Sequence, residues 1–387
     1  MTEVVIVSAV RSAVARGKAD GALAGVHPVD LTSTVMKAAI DRAGIDPATI
    51  EDVQWGCAMP EASQGLNHAR LAWLRGGFPV STPGATINRF CSSGLQSIAY
   101  AAHAIMAGEG DAVLAGGTEM MSHVPMSGYH TRLSPDMTES YVGMGFTAER
   151  VASRWGVTRE QQDEFSCESQ RKAAAALASG AFRPEIVPVM TRRYSWKGAE
   201  KTVAELLFDT DECPRPDTSM EGLARLRPAF VPTGSVTAGN SSPYSDGAAA
   251  VLVMSAERAK AQGLAPLARF VSFGVAGVEP DVMGIGPIKA VPKALKRAGL
   301  SMKDIKLIEF NEAFAAQALT VIKELDMPTD IMNVNGGAIA LGHPLGATGA
   351  KLTTQLVHEL QRRGGGYGLV TMCIGGGMGA AGIFEVY

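Results

Sequence analysis

Apolar positions along this chain recur with two periods. Leu31, Val35, Ala38 and Ala39 keep helical spacing, and the run stops at Gly44, which can take the left-handed conformation that closes a helix. Ile50-Glu-Asp-Val53-Gln-Trp55 follows after a short loop and reads as a strand. The pattern returns 255 residues on. Val291, Ala294, Leu295 and Ala298 predict a helix, Gly299 its stop, and Ile305-Lys-Leu-Ile308-Glu-Phe310 a strand, with Arg42-Ala43-Gly44 aligned on Arg297-Ala298-Gly299. The repeat extends further. Residues 88–117 run from Asn-Arg-Phe-Cys-Ser-Ser-Gly through an apolar helix (Leu95 to Met106) to the strand Ala112–Ala115 and Gly116-Gly117. Residues 335–377 run from a glycine-dense loop through a helix (Ala350 to Leu360) to the strand Gly368–Thr371 and another glycine cluster. Helices alternating with apolar strands predict α/β layers with buried sheets, and the duplication predicts two similar halves about a pseudo-twofold axis.

The stretch between the halves, about 119–244, lacks this regularity. It holds Met120, Met121, Met126, Met137 and Met144, several prolines, and one clear helical segment over roughly 159–179 that stops at Gly180. A long loop-rich insertion in an α/β protein usually carries function.

Composition narrows the classes. At 387 residues the chain is long enough for two or three domains without disulfides or metals as staples. A net charge of −3 excludes the basic footprint of a general nucleic-acid binder. No apolar run reaches the length of a membrane span, and the first residues, MTEVVIVSAV, lack a signal peptide's basic region and start straight into a strand. The five cysteines, Cys57, Cys91, Cys167, Cys213 and Cys373, are widely spaced and never in a C-x-x-C pattern. A disulfide framework or metal site is not expected, and reduced thiols in a cytoplasmic protein are.

Three positions carry candidate chemistry. Cys91 lies between a strand and a helix, where the helix dipole and free N–H groups would favour the nucleophilic thiolate. A buried structural thiol is the plain alternative. His343 is flanked by Gly342 and Pro344 in a loop whose glycines allow close approach to a ligand. Cys373 ends a strand and precedes Gly375-Gly-Gly377, whose N–H groups could stabilise an oxyanion. Asn311-Glu312-Ala-Phe314 ends a strand at the repeat position of Gly56-Cys57 and could serve a site or cap the next helix. Gly377-Met-Gly379-Ala-Ala-Gly382 matches the dinucleotide fingerprint but lies too near the C-terminus for the βαβ unit that fingerprint needs.

Taken together, NRFCSSG (88–94), GGTEMMS (116–122), VTAGNSSPYSDGAAA (236–250), NEAFAA (311–316), NGGAIALGHPLGATGA (335–350) and MCIGGGMG (372–379) resemble the thiolase family over nearly the whole chain. The resemblance implies a five-layered αβαβα sandwich of two duplicated halves, with 1–118 plus 245–265 as the N-terminal half, 119–244 as an inserted loop domain that binds coenzyme A, and 266–387 as the C-terminal half. It implies Cys91 as nucleophile activated by His343, with the N–H groups of Cys91 and Gly375 as oxyanion donors. A second hole would come from His343 and a water held by Asn311, and Cys373 would be the general acid and base. Arg215 and Ser242 would contact coenzyme A, while Met144 and Phe314 line the site. Coenzyme A is implied as a substrate, with no bound cofactor or metal. The expected partners are acyl-CoA, a homodimer or homotetramer, and a hydratase/dehydrogenase enzyme of fatty acid β-oxidation.

The implied activity is thiolytic cleavage of 3-ketoacyl-CoA; the alternative is condensation of two acetyl-CoA by an acetyltransferase. A decarboxylating ketosynthase would carry His where Cys373 stands. A thiolase-like carrier would not need all three motifs. Short-chain thiolases resemble segment 141–149 but carry His where this chain has Gly143.

Overall fold

The structure is a computed structural model that describes residues 2–125 and 134–387. Met126 lies outside the described residues. Both copies of the sequence repeat fold alike. Helix Pro28–Ala43 ends at Gly44 (φ 68°) and helix Gly286–Ala298 at Gly299 (φ 69°). The strands that follow, Asp52–Gly56 and Ile305–Phe310, each run parallel to a later strand, Ala112–Met120 and Gly366–Ile374 respectively.

The strand order makes the duplication visible. In the first half, Ala85–Ile87, Asp52–Gly56, Ala112–Met120, Ser245–Ser255 and Val4–Ser12 lie side by side. In the second, the order is Ile305–Phe310, Gly366–Ile374, Met378–Val386 and Ala268–Gly277. The innermost strands of the two halves meet antiparallel, Val5 opposite Arg269 and Ile6 opposite Ala268, so the order on one side mirrors the other.

The long strands of this large sheet are buried on both faces, and alternate residues supply different cores. Along Val4–Ser12, Val5 and Val7 pack with the outer helix Pro28–Ala43 through Leu31 and Val35. Val4 and Ile6 instead join Leu95, Ile98, Leu352 and Leu356 of two central helices, Ser93–Ala107 and Leu345–Arg362. The second sheet reaches the same central helices through Val370, Met372 and Phe384. Its other face packs on Val291 and Leu295 of the outer helix Gly286–Ala298. These are the five layers, αβαβα. The glycine-rich motifs draw the two central helices together. A Cβ on Gly349 would stand 2.2 Å from the Leu95 nitrogen, and one on Gly94 2.8 Å from the Ala350 nitrogen. These glycines therefore admit the opposite half of the chain rather than a ligand.

The stretch 119–244 is more regular than its sequence predicts. The helix Arg159–Ser179 forms as expected, opened by a capping box at Thr158 and closed by Gly180. A second helix, Met144–Trp155, and a hairpin of Val189–Lys197 with Glu200–Phe208 accompany it. Among the described residues no helix is long and apolar enough to cross a membrane.

Candidate active site

Cys91 sits in a tight turn, Phe90–Ser92, that feeds the central helix Ser93–Ala107. Phe90 adopts φ 42°, a conformation uncommon for a non-glycine residue, on the turn that carries the thiol. His343 follows the short helix Ala338–Leu341 and precedes the central helix Leu345–Arg362. The two nearly antipodal motifs meet because the central helices do. Both residues line one cavity of 470 Å³, whose wall also includes Met59, Met121, Gly143, Met144, Phe230, Ser242, Tyr244, Met283 and Phe314.

The electrostatics differ from the expectation for Cys91. A helix start was expected to draw the thiol towards thiolate; burial instead pushes it up to about 11. The backbone N–H groups of Gly375 and of Cys91 itself oppose that shift, while the buried Glu119 charge adds to it. No cation enters the balance, so desolvation wins. Those two N–H groups are the pair expected to hold an oxyanion. His343 moves the other way: burial, helped by the charge of Lys351, holds it at about 3, so the ring is neutral. Its Nδ1 lies 2.6 Å from Thr348 Oγ1 and its Nε2 3.3 Å from Asn311 Nδ2. Asn311 is fully buried, and its Oδ1 has no protein partner.

Cys373 is fully buried at the end of strand Gly366–Ile374, packed with Met283, Ala313 and Phe314. Burial pushes its thiol well up, and the adjacent Cys91 adds to the shift. It therefore holds its proton at neutral pH. Gly375 lies two residues on, and a Cβ there would touch Met144 Sδ at 3.6 Å.

The other expected residues divide. Ser242, Met144 and Phe314 line the cavity, and Ser242 Oγ donates to the Ala313 carbonyl at 3.0 Å. Arg215 does not line it; its side chain is exposed on a turn whose backbone N–H bonds Gln170. Glu312 neither lines the cavity nor caps the next helix, Ala315–Leu325. It accepts from Ser169, Asn333 and the Ile339 N–H, which fixes the segment before His343. Sequence reasoning missed Phe230, whose ring stands edge-on to Phe146 and Phe314 at 6.3 and 6.1 Å. It also missed Tyr244, bridged to His343 in a short parallel ladder, and Thr348. Phe230 comes from a segment with no local motif, whereas Tyr244 lies inside the quoted VTAGNSSPYSDGAAA run. Thr348 lies inside the quoted GHPLGATG run, five residues from His343, where the short reach back into the loop was the available signal.

The arrangement can support nucleophilic acyl transfer: a buried thiol, a neutral base, a second proton-holding thiol and two aimed N–H donors in an apolar cavity. Among the described residues, no group of three or more His, Cys, Asp or Glu is placed to hold a metal ion. The sequence matches the family models of the thiolase N-terminal domain over residues 4–257 and the thiolase C-terminal domain over 264–386. It is 54% identical to a 3-ketoacyl-CoA thiolase of Bacillus subtilis, with all of both chains covered. It is 47% identical to an acetyl-CoA acetyltransferase of Chromobacterium violaceum over 98% of each chain. Human mitochondrial 3-ketoacyl-CoA thiolase superposes with a TM-score of 0.89 at 40% identity, covering 100% of this chain and 99% of that one. With fold, motifs and family models in agreement over the full length, this chain belongs to the thiolase family.

Proposed function

We propose that this enzyme is an acyltransferase that cleaves 3-ketoacyl-CoA with coenzyme A, releasing acetyl-CoA and a shortened acyl-CoA. The observation that carries the reading is the meeting of Cys91 and neutral His343 in one apolar cavity. In the first half-reaction, His343 takes the Cys91 proton as sulfur bonds to the 3-keto carbon. The alkoxide is held by the N–H groups of Cys91 and Gly375. Its collapse breaks the bond between the α and β carbons and expels the acetyl-CoA enolate, steadied by His343 and a water on Asn311. Cys373 gives that carbon its proton. In the second, the Cys373 thiolate takes the proton of incoming coenzyme A, whose sulfur attacks the acyl-Cys91 carbonyl and expels the Cys91 thiolate. His343 returns its proton. Coenzyme A is then a substrate, and these steps ask for no bound cofactor or metal.

Ser242, Met144 and Phe314 line the cavity and would meet the thioester arm; Arg215 would serve only the outer, adenine end. The division 1–118 plus 245–265, 119–244 and 266–387 fits this reading as two halves and a ligand-binding insertion. The first sheet ends on the short strand Ala85–Ile87, beside exposed Leu66, Val80 and Phe90. An open edge with apolar neighbours supports a homodimer or homotetramer, which light scattering would test. A cytoplasmic enzyme of fatty acid β-oxidation, working with a hydratase/dehydrogenase partner, is the setting we infer.

Chain length separates cleavage of varied substrates from the acetyltransferase alternative. Gly143 lines the cavity with φ −64° and ψ 141°, which any residue adopts. A Cβ there would meet only the Phe146 ring, at 3.3 Å or more. No turn requires this glycine, so its effect is the space it leaves beside the nucleophile. Each buried CH₂ is worth about 0.8 kcal/mol, so two more carbons improve binding roughly tenfold while the cavity lasts. We expect kcat/KM for 3-ketoacyl-CoA of about six carbons or more to equal or exceed that for acetoacetyl-CoA. Strict restriction to acetoacetyl-CoA would promote the acetyltransferase reading.

A further inference from the structure

A neutral imidazole carries its proton on one of two nitrogens, and which one decides what the other can do. His343 Nδ1 faces Thr348 Oγ1 at 2.6 Å, while Nε2 faces Asn311 Nδ2 at 3.3 Å. Thr348 belongs to the first turn of helix Leu345–Arg362, and its hydroxyl donates to the Pro344 carbonyl, four residues back, at 3.0 Å. That is the usual bond of a helical threonine. A hydroxyl has one proton. Once it is given to Pro344, only oxygen lone pairs point at His343, so Nδ1 must be the donor. Nε2 then keeps its lone pair, which suits the N–H donor of Asn311 on that side. The Thr348 contact sets the tautomer, and the Asn311 contact on the opposite edge of the ring is compatible with it.

We propose that Thr348 is a positioning residue that holds the His343 proton on Nδ1 and so leaves Nε2 as the base for Cys91. This rests on the reading of His343 as that base. When Cys91 reacts, its S–H bond breaks, the proton joins Nε2, and the resulting imidazolium keeps its Nδ1–H on Thr348. Without the threonine oxygen, the proton could settle on Nε2 and fill the position that must accept.

The test is ¹⁵N NMR of the full chain labelled at histidine, alongside steady-state kinetics. The wild type should show Nδ1 protonated and Nε2 bare. Thr348→Val keeps the shape and removes the acceptor. It should move the proton to Nε2 and lower kcat about 10–100-fold, as loss of a group that orients a functional imidazole commonly does, with KM nearly unchanged. Thr348→Ser should restore both. A wild-type ring protonated on Nε2 would overturn the proposal even if the valine variant failed to fold. So would a valine variant that loses kcat with its tautomer unchanged, because that loss is packing alone. Failure of the functional reading shows separately, as a wild type with the stated tautomer that does not cleave 3-ketoacyl-CoA.

Discussion

A thiol pushed up to about 11 beside an imidazole held at about 3 gives two uncharged groups at pH 7. Proton transfer from Cys91 is therefore uphill until the new negative charge reaches an oxygen that the N–H groups of Cys91 and Gly375 can hold. Alkylation exposes this, since iodoacetamide expels iodide and builds no oxyanion. Because the thiol's acidity is weakened, its proton stays bound through the neutral range, and the thiolate fraction grows about tenfold per pH unit up to about 11. The rate of Cys91 alkylation, followed by mass spectrometry, should climb steadily from about pH 7 to 10. A rate flat across that range would mean a preformed thiolate–imidazolium pair. Cys373 is protonated for the same reason, desolvation, and a serine there is too weak an acid or base to replace it. Cys373→Ser should still take an acetyl group on Cys91 from acetyl-CoA, slowly, but lose proton exchange at the α carbon. Deuterium wash-in at the wild-type rate would assign that proton to another group.

Between elements, the decisive contact is the crossing of the two central helices. Gly349 lies inside Leu345–Arg362, where alanine would ordinarily add about 1 kcal/mol of helix stability. Here its Cβ would meet the Leu95 backbone at 2.2 Å, and overpacking costs about 1–3 kcal/mol or more. The clash should win: Gly349→Ala should lower Tm by several degrees and reduce activity, because the two helices carry Cys91 and His343. A variant with raised Tm and full activity would show that the crossing can relax. Much of this architecture is legible in the sequence. The repeat, the helix stops at Gly44, Gly180 and Gly299, and the strands that follow them rest on local signals: period, cap and punctuation. Helix Met144–Trp155 is not legible, since Gly143 and Gly145 interrupt its start. Nor is the hairpin Val189–Phe208: Met190, Val203 and Leu207 are exposed, so no buried face imposes an alternation. Cys91, His343, Asn311 and Cys373 stand out because each ends or opens an element with an unusual residue. Phe230 acquires meaning only when distant segments converge, and Tyr244, though inside a quoted motif, only when that motif meets His343. The helix-start argument for Cys91 failed because it weighed the dipole without the burial.

For the molecule as a whole, the question is what ties the segment around the hairpin Val189–Phe208 to the sandwich. Arg11, on the innermost strand Val4–Ser12, is fully buried. Its Nε donates to Glu185 Oε1 at 2.6 Å, and its two Nη groups hold Asp211 Oδ1 and Oδ2 at 2.8 and 2.9 Å. Asp211 also accepts from the Val14 N–H, and the Phe182 ring lies 5.0 Å from the guanidinium. One cation of the core thus holds both flanks of the hairpin Val189–Phe208. A planar fork that binds a carboxylate through two parallel bonds cannot be replaced by lysine. Burial opposes its charge, but the two carboxylates and their hydrogen bonds outweigh that and push its acidity still lower than usual, so it stays charged at every accessible pH. Removing it strands two buried carboxylates, which typically costs about 3–5 kcal/mol. Arg11→Met should therefore unfold at markedly lower denaturant, and little of the loss should depend on salt, because no ions reach the pair. The triple change of Arg11→Met with Glu185→Gln and Asp211→Asn should recover much of the stability by removing the unpaired charge. If Arg11→Met stayed within about 1 kcal/mol of wild type at neutral pH, the value expected of a surface pair, the segment would be anchored by its apolar contacts and not by this cation.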